Sequence, residues 1–308
     1  RYQTEELRKI TREIETSEEE SIELEQKIFS EISEEVKNIS ENLSNLSEQI
    51  SFIDVITSFS EFAEKRNYCR PKILKNSVIK FRNGRHPVVE ESLIGSGKEF
   101  VPNNCQMDHE NNIWLMTGPN MAGKSTFLRQ VAIIILLNQI GSYVPADDIE
   151  VGIFDKIFTR IGASDNLSEG MSTFMMEMVE TSRIVNEATA SSLVILDELG
   201  RGTSSEEGLA IAYAVLEFIT LKIKSITLFA THYKDLCEMS KDYKEIKNKT
   251  LEIKKWEEEI IFHYKVIDGI SEGSFGIHVA NLAGVNKSII STARKVLEKI
   301  NKFEIDFE

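Results

Sequence analysis

Thr117-Gly118-Pro119-Asn120-Met121-Ala122-Gly123-Lys124-Ser125-Thr126 carries a complete G-x-x-x-x-G-K-[ST] spacing. The apolar run Ile113-Trp114-Leu115-Met116 precedes it, as a buried parallel strand would. Phe127-Leu128-Arg129-Gln130-Val131-Ala132-Ile133-Ile134-Ile135-Leu136-Leu137 follows, as a helix going from amphipathic to buried would. Strand, glycine turn and helix N-terminus together aim backbone N–H groups at a polyphosphate. Gly118, Pro119, Asn120, Met121, Ala122, Gly123, Lys124, Ser125 and Thr126 are therefore the expected ATP-binding loop. Lys124 would reach the β and γ phosphates, and the Ser125 hydroxyl would bind Mg²⁺.

Outward from the loop, strands and helices alternate. Residues 191–197 and 225–231 read as two more buried strands, and 172–189 and 207–222 as helices between them. Asn76 to Phe81 reads as a strand ended by Asn83-Gly84, Leu251–Ile253 and Ile260–Val266 as an appended hairpin, and 288–302 as a closing helix. This predicts an α/β fold, a P-loop NTPase with a doubly wound sheet and ligands at the strand C-terminal ends. Residues 1 to 66 contain no Gly or Pro and place apolar or small residues three or four apart, from Leu7 through Ile28 to Ile53. That stripe allows one uninterrupted helix but favours two or three packed helices, and it needs a partner to lean on. The expected division is a helical connector over 1–68, an ATPase domain over 69–272 and a helical element over 273–308.

The apolar run 193–196 ends in Asp197-Glu198. An isolated Asp-Glu would be an ordinary charged strand end. After a phosphate loop, Asp197 is expected to support the Mg²⁺ shell with Ser125, and Glu198 to polarise an attacking water. Thr231-His232 closes the next strand, where His232 can hydrogen-bond the γ-phosphate or that water. Ser172-Thr173 stands ahead of an apolar helix; Ser172 is an N-cap, and such a helix start is also a second anion site. One phosphate loop plus a spare anion-binding helix start suggests a site shared between two chains.

The net charge of −14 argues against a DNA-gripping surface on this chain, because phosphate binding needs clustered Lys and Arg. Roughly twice as many acidic as basic residues in the first 66 fit the solvated faces of long helices. Cys69, Cys105 and Cys237 lie far apart without metal-ligand spacing, as in a reducing cytosol. No run of about 18 apolar residues occurs, so no membrane span is expected. The start at Arg1 without Met reads as the C-terminal part of a longer protein.

Together with Asp197-Glu198-Leu199-Gly200-Arg201-Gly202-Thr203-Ser204, Gly84-Arg85-His86-Pro87-Val88-Val89-Glu90, the S-T-F-x-x-E-M stretch from Ser172 and Gly273 to Val285, the loop resembles the MutS family of DNA mismatch-repair ATPases. The likeness runs through the whole chain, in the bacterial form. It implies an ABC-type ATPase, using ATP and Mg²⁺, that forms a homodimer with each nucleotide between two subunits. Ser172 and Thr173 would meet the γ-phosphate held by the partner's loop, and Gly200, Arg201, Gly202 and Thr203 would cross the same interface. Phe100, followed by Val101, matches the position that packs on adenine; Tyr264 is added on its aromatic character alone. The resemblance also implies that 273–308 locks subunits together, and that ATP switches the protein between mismatch recognition and a sliding clamp. The implied partners are mismatched double-stranded DNA, held by N-terminal domains outside this chain, and a MutL-like repair protein; the implied location is the nucleoid-associated bacterial cytoplasm. Alternatives within the family are a meiotic-type clamp without mismatch recognition and the second bacterial paralogue. A small-molecule phosphoryl transferase would need an acceptor pocket and lid, which the sequence does not suggest.

Overall fold

Thr4 opens the first helix: its hydroxyl accepts the Leu7 N–H at 3.4 Å, and Glu5 and Glu6 follow where the helix dipole favours negative charge. The computed structural model describes residues 4–162, 172–256, 259–271, 273 and 275–305. It divides into two units, Arg1–Glu61 and Phe62–Glu308. Helices α1 (Glu5–Asn38) and α2 (Ser40–Arg66) are separated by Ile39 alone, which stays close to helical geometry at φ −107° and ψ 4°. No chain reversal is made there, so the two cannot fold back on each other. No residue from 4 to 61 is buried, and the stripe expected to be packed, including Leu7, Ile28 and Ile53, is exposed. The periodicity gave the helices correctly; helix-on-helix packing is not seen among the described residues, and the run is closer to the single helix that the stripe also allowed, because a helical stripe says nothing of where its partner lies.

In the second unit the chain continues through β1 (Lys72–Leu74), β2 (Ile79–Gly84), α3 (Pro87–Leu93), β3 (Asn103–Met107) and β4 (Ile113–Thr117). Next come α4 (Lys124–Gln139), β5 (Asp148–Gly152), β6 (Ile157–Arg160), α5 (Thr173–Glu187), β7 (Leu193–Asp197), α6 (Ser205–Phe218) and β8 (Ile226–Ala230). The final elements are α7 (Met239–Asp242), β9 (Ile246–Trp256), β10 (Glu259–Asp268), α8 (Gly276–Leu282) and α9 (Lys287–Ile305). The strands form a four-stranded sheet, β1-β5-β2-β3, and a six-stranded sheet, β10-β9-β4-β8-β7-β6. The fold is mixed α/β.

In the larger sheet β9, β4, β8, β7 and β6 run parallel, and β10 is antiparallel to β9. Every residue of β4 and β8 is buried, which is why they read as continuous apolar runs: both faces are covered. Trp114, Met116, Ile195 and Leu228 join one core cluster, and Ile113, Leu115, Leu196 and Phe229 the other. The first holds Leu128, Val131, Ile134 and Ile135 of α4 together with Ile79, Phe81, Met107 and Val151 of the smaller sheet, so α4 is packed between the two sheets. Burying each such side chain contributes about 1.5–3 kcal/mol. The second cluster is roofed by Ile184 of α5 and Leu216 of α6.

Two expectations change. The hairpin is not appended, because β9 starts at Ile246 and pairs with β4, with Thr250 Oγ1 donating to the Thr117 carbonyl at 3.1 Å. Asn83-Gly84 ends its strand from within and not from beyond it: both residues belong to β2, which stops at Gly84 beside a register shift against β3. Among the described residues no helix is long and apolar enough to cross a membrane.

Candidate functional site

The glycine loop leaves the C-terminal end of β4, a parallel strand flanked on both sides, by β9 and β8. Pro119 accepts the Ala122 N–H at 3.1 Å across the short turn Asn120–Ala122, and Gly123 then takes φ +100°. A side chain at 123 would be strained there and would press on Tyr264, whose Cδ1 would lie 3.3 Å from the added carbon. Helix α4 starts at Lys124 with no side-chain cap, the kind of helix start that receives an anion. Lys124 is 1% exposed, and its Nζ donates to the Gly118 carbonyl. Burial pushes the ammonium below its ordinary range, while Glu198 and Asp197 pull it back up.

The next side chain, Ser125, donates through Oγ to Asp197 Oδ2 at 2.6 Å. Asp197 ends β7, two strands from β4. Burial raises its pKa, opposed first by the Ser125 hydrogen bond. Its other oxygen, Oδ1, is buried and has no hydrogen-bond partner among the described residues. A partly buried carboxylate with one shielded, spare oxygen beside a hydroxyl is a donor pair for a hard cation. No group of three His, Cys, Asp or Glu side chains placed to hold a metal occurs among the described residues, so remaining ligands would be water and phosphate oxygens.

Glu198 has φ +57°, a left-handed conformation costly for a residue with a side chain. Its N–H donates to the Ala230 carbonyl at 2.9 Å, tying it to β8, and its carboxylate meets Arg201 at 2.7 Å. Arg201 is largely exposed, so that pair is weak and exchangeable. His232 packs against Tyr233 with ring centroids 4.0 Å apart. Desolvation lowers the His232 pKa, partly offset by Glu198, which favours a neutral imidazole at pH 7.

Three cavities surround the loop. One of about 350 Å³ holds Phe100, Val101, Tyr264, Met121, Gly123 and Thr126. Here the chain brings together all three residues expected around the base. Asn103 does the positioning: Nδ2 donates to the Tyr264 carbonyl at 2.9 Å, and Oδ1 accepts the Val266 N–H at 2.7 Å. The β9–β10 register shifts between Phe262 and Val266, and Tyr264 sits in that bulge at φ +54°. Gly118, Pro119, Met121 and His232 line a second cavity, of about 330 Å³.

The third, of about 400 Å³, is lined by Ser125, Asp197, Glu198, Arg201, Gly202 and Thr173, with Arg129, Arg160 and Glu177. Thr173 thus shares a wall with Ser125 in the same chain. Ser172 is not on that wall; its hydroxyl caps α5 by accepting the Met175 N–H at 3.1 Å. Residues 163–171, read as part of the polar loop before Ser172, lie outside the described residues, as does Ser274 of the 273–285 stretch. The loop after Glu198 is pinned at Gly200, whose N–H donates to Glu177 and whose carbonyl accepts from Tyr233. Thr203 Oγ1 donates to Glu207 at 2.7 Å on the first turn of α6. Asn103 and Tyr233 were not singled out in the sequence, and Glu177 was read only as the acidic residue of the S-T-F-x-x-E-M stretch, with no role assigned. The signals available were the adjacency of Tyr233 to His232 and the place of Glu177 in that stretch.

Fold and site define a mixed α/β domain with a glycine loop at the end of an interior parallel strand and a hydroxyl–carboxylate pair beside it. Residues 114–301 match the family model described as MutS domain V, and the chain belongs to the MutS family. It is 46% identical over 309 residues to the DNA mismatch repair protein MutS of Thermodesulfovibrio yellowstonii, covering 99% of this chain and 36% of that protein. The protein of the same name from Orientia tsutsugamushi is 48% identical over 285 residues, 92% of this chain and 32% of its own length. That of Caldicellulosiruptor saccharolyticus is 44% identical over 309 residues. The chain spans about a third of the length of these relatives.

Proposed function

We propose that this chain is the Mg²⁺-dependent, ABC-type P-loop ATPase region of a DNA mismatch-repair protein, hydrolysing ATP to ADP and phosphate. The observation that carries the reading is Ser125 bonded to Asp197, with Oδ1 of Asp197 spare, beside an uncapped helix start. The triphosphate lies along residues 118–126, with Lys124 and the first N–H groups of α4 neutralising its charge. The adenine packs between Phe100 and Tyr264, with Val101 alongside. Ser125 and Asp197 hold Mg²⁺, which when bound neutralises charge developing on the phosphate oxygens. Glu198 orients a water and accepts its proton as the oxygen bonds to the γ-phosphorus and the bond to ADP breaks. A neutral His232 hydrogen-bonds the same region.

The composite form of the site is read from the resemblance, which sets the Ser172–Thr173 helix start against a partner's γ-phosphate, and is supported by Ser172 standing off the wall that Thr173 shares with Ser125. Two copies bind head to tail, so that one protomer's Ser172 meets the γ-phosphate on its partner's loop, with residues 200–203 at the shared interface. Residues 1–68 act as a connector, 69–272 as the ATPase domain and 273–308 as the dimerisation element. Mismatched DNA is bound by segments outside this chain, a MutL-like protein reads the clamp state, and the protein works at the bacterial nucleoid in the cytoplasm.

The test is a pair of variants. Lys124→Ala should abolish tight nucleotide binding, whereas Glu198→Ala should bind ATP normally and lose turnover. Equal loss of binding in both would contradict the assigned roles.

A further inference from the structure

Glu177 is a carboxylate only 4% exposed, five residues into the helix that Ser172 caps. Its Oε1 accepts the Gly200 N–H at 2.6 Å. Its Oε2 lies 3.8 Å from Arg160 Nη2 at the end of β6. Arg160 is itself buried, donates to the Gly162 carbonyl at 2.7 Å, and has Nε 3.0 Å from Glu180 Oε2. A buried carboxylate is expensive unless paired and hydrogen-bonded. One oxygen of this one is spent on a single backbone N–H two residues after Glu198.

That N–H belongs to a peptide constrained on every side. The Gly200 carbonyl accepts from Tyr233 Oη at 3.0 Å, and Tyr233 follows His232. Gly200 takes φ +88°, and a carbon added there would meet the Gly208 carbonyl oxygen of α6 at 2.5 Å. A carbon added at Gly202 would lie 2.7 Å from Phe174 Cβ, so the loop also packs on the first turn of α5. The strained backbone of Glu198, at φ +57°, is held between its own bond to Ala230 and this fixed peptide. Strain of that kind persists only where the surroundings over-determine it.

We propose that Glu177 is a positioning residue for hydrolysis: through the Gly200 peptide it holds the Glu198 backbone in its catalytic setting and makes that setting depend on the placement of α5. The inference rests on the reading of Glu198 as the residue that activates water. It adds a route by which a phosphate bound at the Ser172 end of α5 is felt at Glu198 of the same chain. Removing the carboxylate leaves the Gly200 N–H without its acceptor and lets the loop relax, while residues 118–126, which hold the nucleotide, are untouched.

The experiment measures kcat, KM and nucleotide Kd for Glu177→Ala and Glu177→Gln, with Tyr233→Phe as a second route to the same peptide and Glu198→Ala as control. Glutamine keeps a carbonyl acceptor for Gly200. The expected result is a fall of about tenfold or more in kcat for Glu177→Ala at unchanged Kd, with Glu177→Gln restored to within about threefold of the parent. Tyr233→Phe, which loses only a hydroxyl, should lower kcat without changing Kd. Parent-like kcat in Glu177→Ala, equal loss of Kd and kcat, or a glutamine variant as impaired as alanine would each overturn the proposal. If Glu177→Ala does not fold, an unchanged kcat in Tyr233→Phe overturns it. Full turnover in Glu198→Ala would instead sink the underlying reading of the site.

Discussion

Ser125 and Asp197 meet at 2.6 Å although 72 residues separate them in the chain. The contact exists because β4 and β7 are parallel neighbours of β8, so their C-terminal ends open on the same edge. Helix α4, wedged between the sheets, then delivers its second residue to that edge. A partly buried carboxylate with one oxygen bonded and one shielded and spare is held at a cost, and that cost is what a cation relieves.

Ser125→Ala should therefore remove most of the Mg²⁺ dependence of nucleotide binding. In the parent, Mg²⁺ should tighten ATP by about tenfold or more, near 1.4 kcal/mol; in the variant the gain should fall below about threefold. Calorimetry with and without Mg²⁺ measures both, and an unchanged ratio would count against the cation site.

Asp197→Asn gives a stability prediction. A carboxyl whose folded pKa is raised above its unfolded value binds more protons when folded, so its charge destabilises the native state as pH rises through that value. Without nucleotide or metal, the asparagine variant should melt at or above the parent at pH 7.5. The gap should close as pH falls toward the ordinary carboxylate range, about 4. A variant that melts lower at neutral pH would show that the Asp197 charge is stabilising.

Asn103→Ala should strip the Tyr264 carbonyl and the Val266 N–H of their partner and release the bulge. The stability cost is about 1–3 kcal/mol. ATP affinity should weaken while tripolyphosphate affinity stays, because the triphosphate lies on residues 118–126. Equal weakening of both ligands would mean that Asn103 does not serve the base.

Gly200→Ala should destabilise by about 2 kcal/mol or more, from left-handed strain plus the Gly208 contact. Denaturant midpoints measure it; a change below about 0.5 kcal/mol would show that the loop is not fixed there.

The parts legible in the sequence were those whose signal is local. Strands β4, β7 and β8 announced themselves because both faces are buried, and the loop because its spacing is fixed by phosphate geometry. The smaller sheet was mostly invisible. Its strands are short and half exposed, as in β3 with alternating burial, and β5 pairs with β1 across more than seventy residues. Phe100, Val101 and Tyr264 were named, but the residue that assembles them, Asn103, acts on a partner 161 positions away. Glu177 and Gly200 are likewise joined only by the fold. Helices α1 and α2 were legible as helices, since periodicity reports a face and not its partner.

The most direct test of the account's central claim is ATP turnover in a mixture of Ser172→Ala and Lys124→Ala protein, with subunit exchange followed by a fluorescent label. A site built from two copies predicts that each variant alone is inactive and that the mixture recovers activity, because one of its two sites combines an intact Lys124 with an intact Ser172. Exchange without recovery would mean that each chain completes its own site, and would contradict the shared one.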